Sequence, residues 1–257
     1  MPPAATAPHL PHRATGKQAA DENFPVGSIL LPRSLRPAVH EFYRFARKAD
    51  DIADNPTLSI DEKLIRLDEM ENHLPSAGAP HARTLLDAFR RDALNPPCRD
   101  WAELIEYCRL SAMPVGRFLL DLHGEGTPPH HASDALCAAL QILNHLQDCR
   151  EDYVEMGRVY LPRNWLPDPS VLDAPAASPE LRKVLDRCLD GVDALLAEAR
   201  PLPRLIAHRR LRMEAAVILD LARRLTLLLR KRDPLAGPVK LRRRDKAAAL
   251  LTGLAAL

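Results

Sequence analysis

The chain has 257 residues and a net charge of +2. It is long enough for one sizeable core and lacks the general positive field that would recruit nucleic acid. Apolar residues make up 46% of it, yet they form no run of about 18, which excludes a membrane-spanning helix.

The first 20 residues, opening MPPAATAPHLPHRATG, lack an apolar signal core and read as a disordered leader. Residues 21–257 read as one domain. Ser34 to Asp54 forms a first long helix, with Pro37 tolerable in its first turn. Ser59 and Glu62 form a capping box that starts a second, ending near Leu74. PSAGAP breaks the chain, a third helix runs to about Leu94, and NPPC breaks it again. Asp100 and Glu103 start WAELIEYCRLSAMPVGRFLLDLHG, where Pro114 and Gly116 predict a kink. After the loop GEGTPP, Ser133 is the expected cap of a long helix that stops at Gly157. Residues 166–178 read as a Pro/Ala/Ser loop. Helices follow from about 179 to 199, 203 to 231 and 242 to 256. No hairpin signal or period-2 run appears, so the expected fold class is all-α.

The five cysteines, Cys98, Cys108, Cys137, Cys149 and Cys188, are odd in number and never spaced CxxC. They read as reduced core thiols of a cytoplasmic protein. The basic clusters HRRLR at 208–212 and KLRRRDK at 240–246 read as solvated helix faces, or as surfaces meeting a diphosphate or an anionic membrane.

Two acidic motifs carry the chemistry. In FYRFARKADDIAD, Asp50 and Asp54 stand at i, i+4 and share a helix face, and Asp51 can join them. Asp148 and Asp152 repeat that spacing. Spacing alone decides nothing: the chain has 21 aspartates, and a third pair, Asp186 and Asp190, sits on an ordinary amphipathic helix.

The surroundings decide. From Leu136 to Leu146 only Gln141, Asn144 and His145 are polar, and these align with Asp148 and Asp152 on one stripe. A helix apolar nearly all round is buried, so its polar stripe must face partners or a cavity. Tyr43, Arg47, Asp50, Asp51 and Asp54 likewise lie off the apolar face of Phe42, Phe45, Ala46, Ala49 and Ala53. Two carboxylate sets facing one cavity repel each other without cations. Oxygen ligands suit a hard divalent ion, Mg²⁺ where phosphates complete the shell. The alternatives are a solvated acidic end on each helix, an Arg47 that pairs locally with Asp51, and a His145 that is a structural hydrogen bonder.

Three segments, ENFPVGSILLP…FYRFARKADDIAD, YCRLSAMPVGR and QILNHLQDCREDYVEMGRVYLP, resemble in that order the squalene/phytoene synthase family. The resemblance covers roughly residues 21–250. It implies an all-helical isoprenoid synthase bundle around a central cavity, with Mg²⁺ as cofactor. By resemblance, Asp50, Asp51, Asp54, Asn144, Asp148 and Asp152 are metal ligands. Asp50, Asp54, Asp148 and Asp152 carry the catalysis, and Tyr43, Arg47, Gln141 and Asn144 contact substrate.

Within the family, ENFPV with NHLQDCREDY resembles the bacterial hopanoid-pathway branch, which takes presqualene diphosphate and water to hydroxysqualene and diphosphate. Gln147 stands where condensing members often carry arginine. Asp21-Glu22-Asn23 replaces their lysine- or serine-rich stretch, which fits a substrate with one diphosphate. Met113 stands where this branch commonly has asparagine, and no aromatic follows Trp165. The expected partner is therefore a small-molecule isoprenoid diphosphate. A long apolar substrate also implies loose association with the inner membrane face, and with other enzymes of squalene synthesis. The other readings are a condensing synthase using two prenyl diphosphates, and a non-catalytic assembly protein on the same fold.

Overall fold

The computed structural model describes residues 32–256. The expected leader and the ENFPV segment lie outside them. Among the described residues every regular element is helical.

Helix α1, Arg36–Ala53, begins with Pro37 in its first turn, where the missing N–H costs nothing. It buries Val39, Phe42, Phe45, Ala49 and Ala53. The capping box starts α2, Ile60–Glu71: Glu62 accepts from the Ser59 N–H at 2.8 Å and donates its own N–H to the Ser59 hydroxyl at 3.3 Å. Helix α3, Ala79–Leu94, starts after Gly78, whose φ of 79° suits glycine. A Cβ there would also lie 2.4 Å from the Phe118 ring.

The expected kink is a full break. Asp100 caps α4, Trp101–Ser111, by accepting the Glu103 N–H at 2.9 Å. Ala112 then leaves the helical region, and α5, Met113–Leu122, restarts with Pro114 in its first turn. Pro114 has no N–H to continue the α4 ladder, so the backbone restarts there.

Helix α6, Met156 back to His130, is the longest at 27 residues. The expected cap at Ser133 is corrected: the helix begins three residues earlier, and Ser133 is a buried residue of its first turns. Its backbone N–H already bonds Pro129 C=O at 2.9 Å, so it has no cap to supply. Gly157 ends the helix at φ 64°, as expected.

After a short 3-10 turn, Pro169–Asp173, comes α7, Pro179–Ala199, capped by the Ser178 hydroxyl. The expected helix from 203 to 231 is two, α8, Leu202–Leu205, and α9, Arg209–Lys231. The break falls where Ile206 turns to extended backbone and His208 caps the new helix with its ring nitrogen. Helix α10, Arg243–Ala255, closes the described chain.

Two apolar clusters hold these helices. The larger gathers α4, α6, α7 and α9 around Ile142, Leu143, Leu146, Leu185, Leu189 and Leu225. The smaller joins α1, α2 and α3 through Phe42, Leu67 and Leu86, with Phe42 stacked on Phe118 at 4.0 Å. Helix α5 serves both: Phe118 enters the smaller cluster and Leu120 the larger. All five cysteines are free thiols. Burial pushes Cys137, Cys149 and Cys188 up to about 12, so they are inert packing groups.

Candidate active site

The first acidic motif ends α1. Arg47 donates to Asp50 at 2.9 Å and lies 3.1 Å from Asp51, so the local pairing considered for it is present and extends to Asp50. Burial, followed by the charge of Asp54, pushes the Asp50 carboxyl up to about 6, with Arg47 pulling the other way. Tyr43 is half-buried one turn earlier on the same helix.

On α6 the polar stripe is graded. His145 is buried; Gln141, Asp148 and Asp152 are half-buried; Asn144 is exposed. The Gln141 amide stands 3.1 Å from His145 Nε2. The His145 ring stacks on Tyr160 at 3.7 Å, and burial pulls its pKa down to about 3. A neutral, stacked imidazole is the structural hydrogen bonder expected of it. The Gln147 amide donates to the Val239 carbonyl, so it ties α6 to the segment that leads into α10.

Arg158 joins the two motifs. It is 8% exposed, and its guanidinium donates to Asp54 at 2.5 Å, to Ala53 C=O at 3.2 Å and to Asp92 C=O at 3.3 Å. Its own backbone N–H donates to Asp152 C=O at 3.0 Å. Its side chain thus fastens the end of α1 to α3, while its backbone N–H closes the end of α6.

Beside it Asp92 accepts the hydroxyls of Tyr107 at 2.8 Å and Tyr160 at 3.0 Å. Burial pushes the Asp92 carboxyl up to about 6 against the pull of Arg158 and both tyrosines. A cavity of about 20 Å³, room for one water, lies between Asp92, Tyr107, Arg158 and Tyr160. Asp92, Tyr107, Arg158 and Tyr160 escaped the sequence reading. Arg158 directly follows the helix-ending Gly157, but its carboxylate partner is 104 residues away, so no local spacing announces the pair.

Asp186 and Asp190 belong elsewhere. Asp186 pairs with Arg182 at 2.6 Å and Asp190 with Arg230 at 2.8 Å. Among the described residues no group of three or more His, Cys, Asp or Glu side chains is arranged to hold a metal ion by itself.

An all-helical bundle with an aspartate motif at the end of each of two helices has the architecture of isoprenoid synthases. The chain belongs to the squalene/phytoene synthase family, whose model matches residues 17–81 and 77–245. It is 46% identical to the hydroxysqualene synthase of Rhodopseudomonas palustris, over 89% of this chain and 86% of that one. It is 41% identical to the hydroxysqualene synthase of Sinorhizobium fredii, over 86% and 84% of the two chains. The crystal structure of squalene synthase HpnC from Alicyclobacillus acidocaldarius superposes with a TM-score of 0.69 at 29% identity, covering 84% of this chain and 90% of that one. A dehydrosqualene synthase shares the fold, with a TM-score of 0.75 at 22% identity over 91% and 90% of the two chains.

Proposed function

We propose that this protein is a hydroxysqualene-forming enzyme, which ionises presqualene diphosphate and lets water capture the carbocation. The observation that carries the reading is the ion pair by which Arg158, two residues beyond the end of α6, holds Asp54 of the first motif, in a chain whose 39–46% identical relatives are named hydroxysqualene synthases.

The donor set fits Mg²⁺. Asp50, Asp51, Asp54, Asp148 and Asp152 offer carboxylate oxygens and Asn144 an amide oxygen, and burial, followed by the charge of Asp54, raises the Asp50 carboxyl, a shift that a bound cation would oppose. The lack of a ready group of three carboxylates also fits, because Mg²⁺ takes one or two carboxylates and completes its shell with phosphate oxygens and water. Bound there, Mg²⁺ would neutralise charge on the departing diphosphate.

The chain's own residues do the rest. Asp54 is held in place by Arg158. Arg47 shares its guanidinium between Asp50 and Asp51 and can offer charge-assisted hydrogen bonds to a diphosphate beside them. Tyr43 and Gln141 line the approach from α1 and α6. Tyr107, Tyr160 and the stacked His145 wall the site with aromatic surface, which holds bulk water away from a carbocation.

Gln147 favours this reading over a condensing synthase: its amide is engaged with the Val239 carbonyl, and it brings no positive charge for a second diphosphate.

The test is incubation of the purified protein with presqualene diphosphate and Mg²⁺, without nicotinamide, and identification of the product by mass spectrometry. Hydroxysqualene that disappears with a chelator is the expected result. Consumption of farnesyl diphosphate to presqualene diphosphate would replace the reading with a condensing synthase.

A further inference from the structure

Helix α10 is a surface helix whose outer face is basic in its first turns and apolar in its last ones. Ala249 and Gly253 face inward, and Gly253 lies so close to α9 that a Cβ would fall 2.5 Å from Val217. The opposite side should be polar. It instead shows Leu250, Leu251 and Leu254 at 47%, 68% and 55% exposure, beside the exposed alanines Ala247 and Ala255. Three leucines in five residues on one exposed helix face are more than the scattered single leucines of an ordinary surface.

The entry to this helix is basic. Lys240, Arg242, Arg243, Arg244 and Lys246 are all exposed. The one acid among them, Asp245, is turned inward: it accepts the Arg242 N–H at 2.9 Å and lies 3.9 Å from Arg224. At 100° per residue, Arg243, Leu250 and Leu254 fall on one line of the helix, and Arg244 and Leu251 on the next. Cations and leucines therefore look out in the same direction. The family match ends at residue 245, so these leucines lie beyond what the family pattern accounts for.

We infer that the outer face of α10, with the basic segment that leads into it, docks on an anionic lipid bilayer. Charge complementarity selects this occupant: a basic rim beside an apolar stripe on one helix face is the pattern that rests in a headgroup layer, with arginines on the lipid phosphates and leucines at the acyl boundary. The Gln147–Val239 hydrogen bond places the segment beside α6, one residue before Asp148. The docked face therefore adjoins the candidate site, and a hydrocarbon product made there would leave toward lipid. That last clause rests on the proposed reaction; the docking itself does not.

The experiment is flotation of the full chain with phosphatidylcholine vesicles, with and without phosphatidylglycerol. The expected result is binding only to the anionic vesicles, released by raised salt. Leu251→Ser with Leu254→Ser weakens it by on the order of tenfold or more, because two apolar side chains no longer enter the bilayer. Arg243→Glu with Arg244→Glu abolishes it. Both pairs are exposed, and far-UV circular dichroism checks that each variant stays folded. No flotation, or equal flotation of parent and variants, overturns the inference. So does a concentration-dependent dimer dissolved by the leucine substitutions, which would make a second copy the occupant. Binding is read without substrate, so either failure leaves the proposed reaction to its own test.

Discussion

Arg158 is the residue on which the site's geometry turns. Its charge is buried, and its guanidinium has three partners in other elements: the Asp54 carboxylate and the carbonyls of Ala53 in α1 and Asp92 in α3. Arg158→Met leaves Asp54 without its cation and two carbonyls without a donor. Removing one side of a buried pair costs about 3 kcal/mol or more, and denaturant unfolding should show that loss. Arg158→Lys keeps the charge but not the fork. It should recover much of the stability and little of the turnover, since Asp54 is no longer aimed. Full activity in the lysine variant would show that the fork has no positioning role.

Asp50 gives a prediction of defined sign. Its carboxyl sits near 6 in the fold against an ordinary 3.8, so the folded chain holds this proton more tightly than the unfolded one. The stability it contributes is present below about pH 4 and is lost as pH rises through about 6. Asp50→Asn abolishes the titration. Without divalent cations its melting temperature should gain on the parent's between about pH 5 and about pH 8, and a gap constant with pH would contradict the assignment. The aspartates themselves were legible because their i, i+4 spacing is local. Asp92 was not: its tyrosine partners stand 15 and 68 residues away, and nothing in the α3 pattern marks it.

At the scale of elements, the local rules read well wherever a break has a covalent cause. The Ser59–Glu62 box, the restart at Pro114 and the stop at Gly157 follow from a side-chain cap, a missing N–H and a missing Cβ. The two misses have other causes. The gap at Ile206–His208 is set by tertiary contacts: the Ala207 and His208 N–H groups donate to Glu125 at 2.9 and 2.7 Å, a partner some 80 residues away in sequence and invisible in the local pattern, whereas α6 starts at His130 without a side-chain cap for a local signal to announce.

Gly191 shows how such contacts reverse a propensity. A glycine inside α7 should be improved by alanine, by up to about 1 kcal/mol. Here a Cβ would lie 2.3 Å from the Trp101 ring. That ring cannot retreat freely, because it stacks on Trp165 at 5.8 Å, and Trp165 in turn carries Arg187 at 4.0 Å over its face. Gly191→Ala should therefore destabilise by about 1–3 kcal/mol, the usual cost of overpacking. A higher melting temperature for the variant would mean that the tryptophan pair yields.

Across the whole molecule, α5 inserts into both apolar clusters, and Arg158 joins α1 and α3 to the segment just past α6. The family resemblance anticipated the helical bundle and the two acidic motifs. It did not show that one arginine, just past the end of α6, ties the end of α1 to α3. If the proposed site is right, its response to ligands is cooperative. On the proposed reading, the carboxylates of the two motifs are only partly offset by Arg47 and Arg158, so Mg²⁺ alone would find too few ligands and diphosphate alone would meet negative charge. Together they satisfy each other.

A thermal shift series should therefore show small effects for Mg²⁺ or inorganic diphosphate separately and a large one for both. At a hundredfold excess over the dissociation constant, binding adds about 2.7 kcal/mol. For a domain of this size that is a rise of roughly 5–10 °C. Asp50→Asn and Asp148→Asn should each remove the joint shift, because each strips a carboxylate from one of the two helices. An undiminished joint shift in either variant would place the diphosphate somewhere other than between these helices.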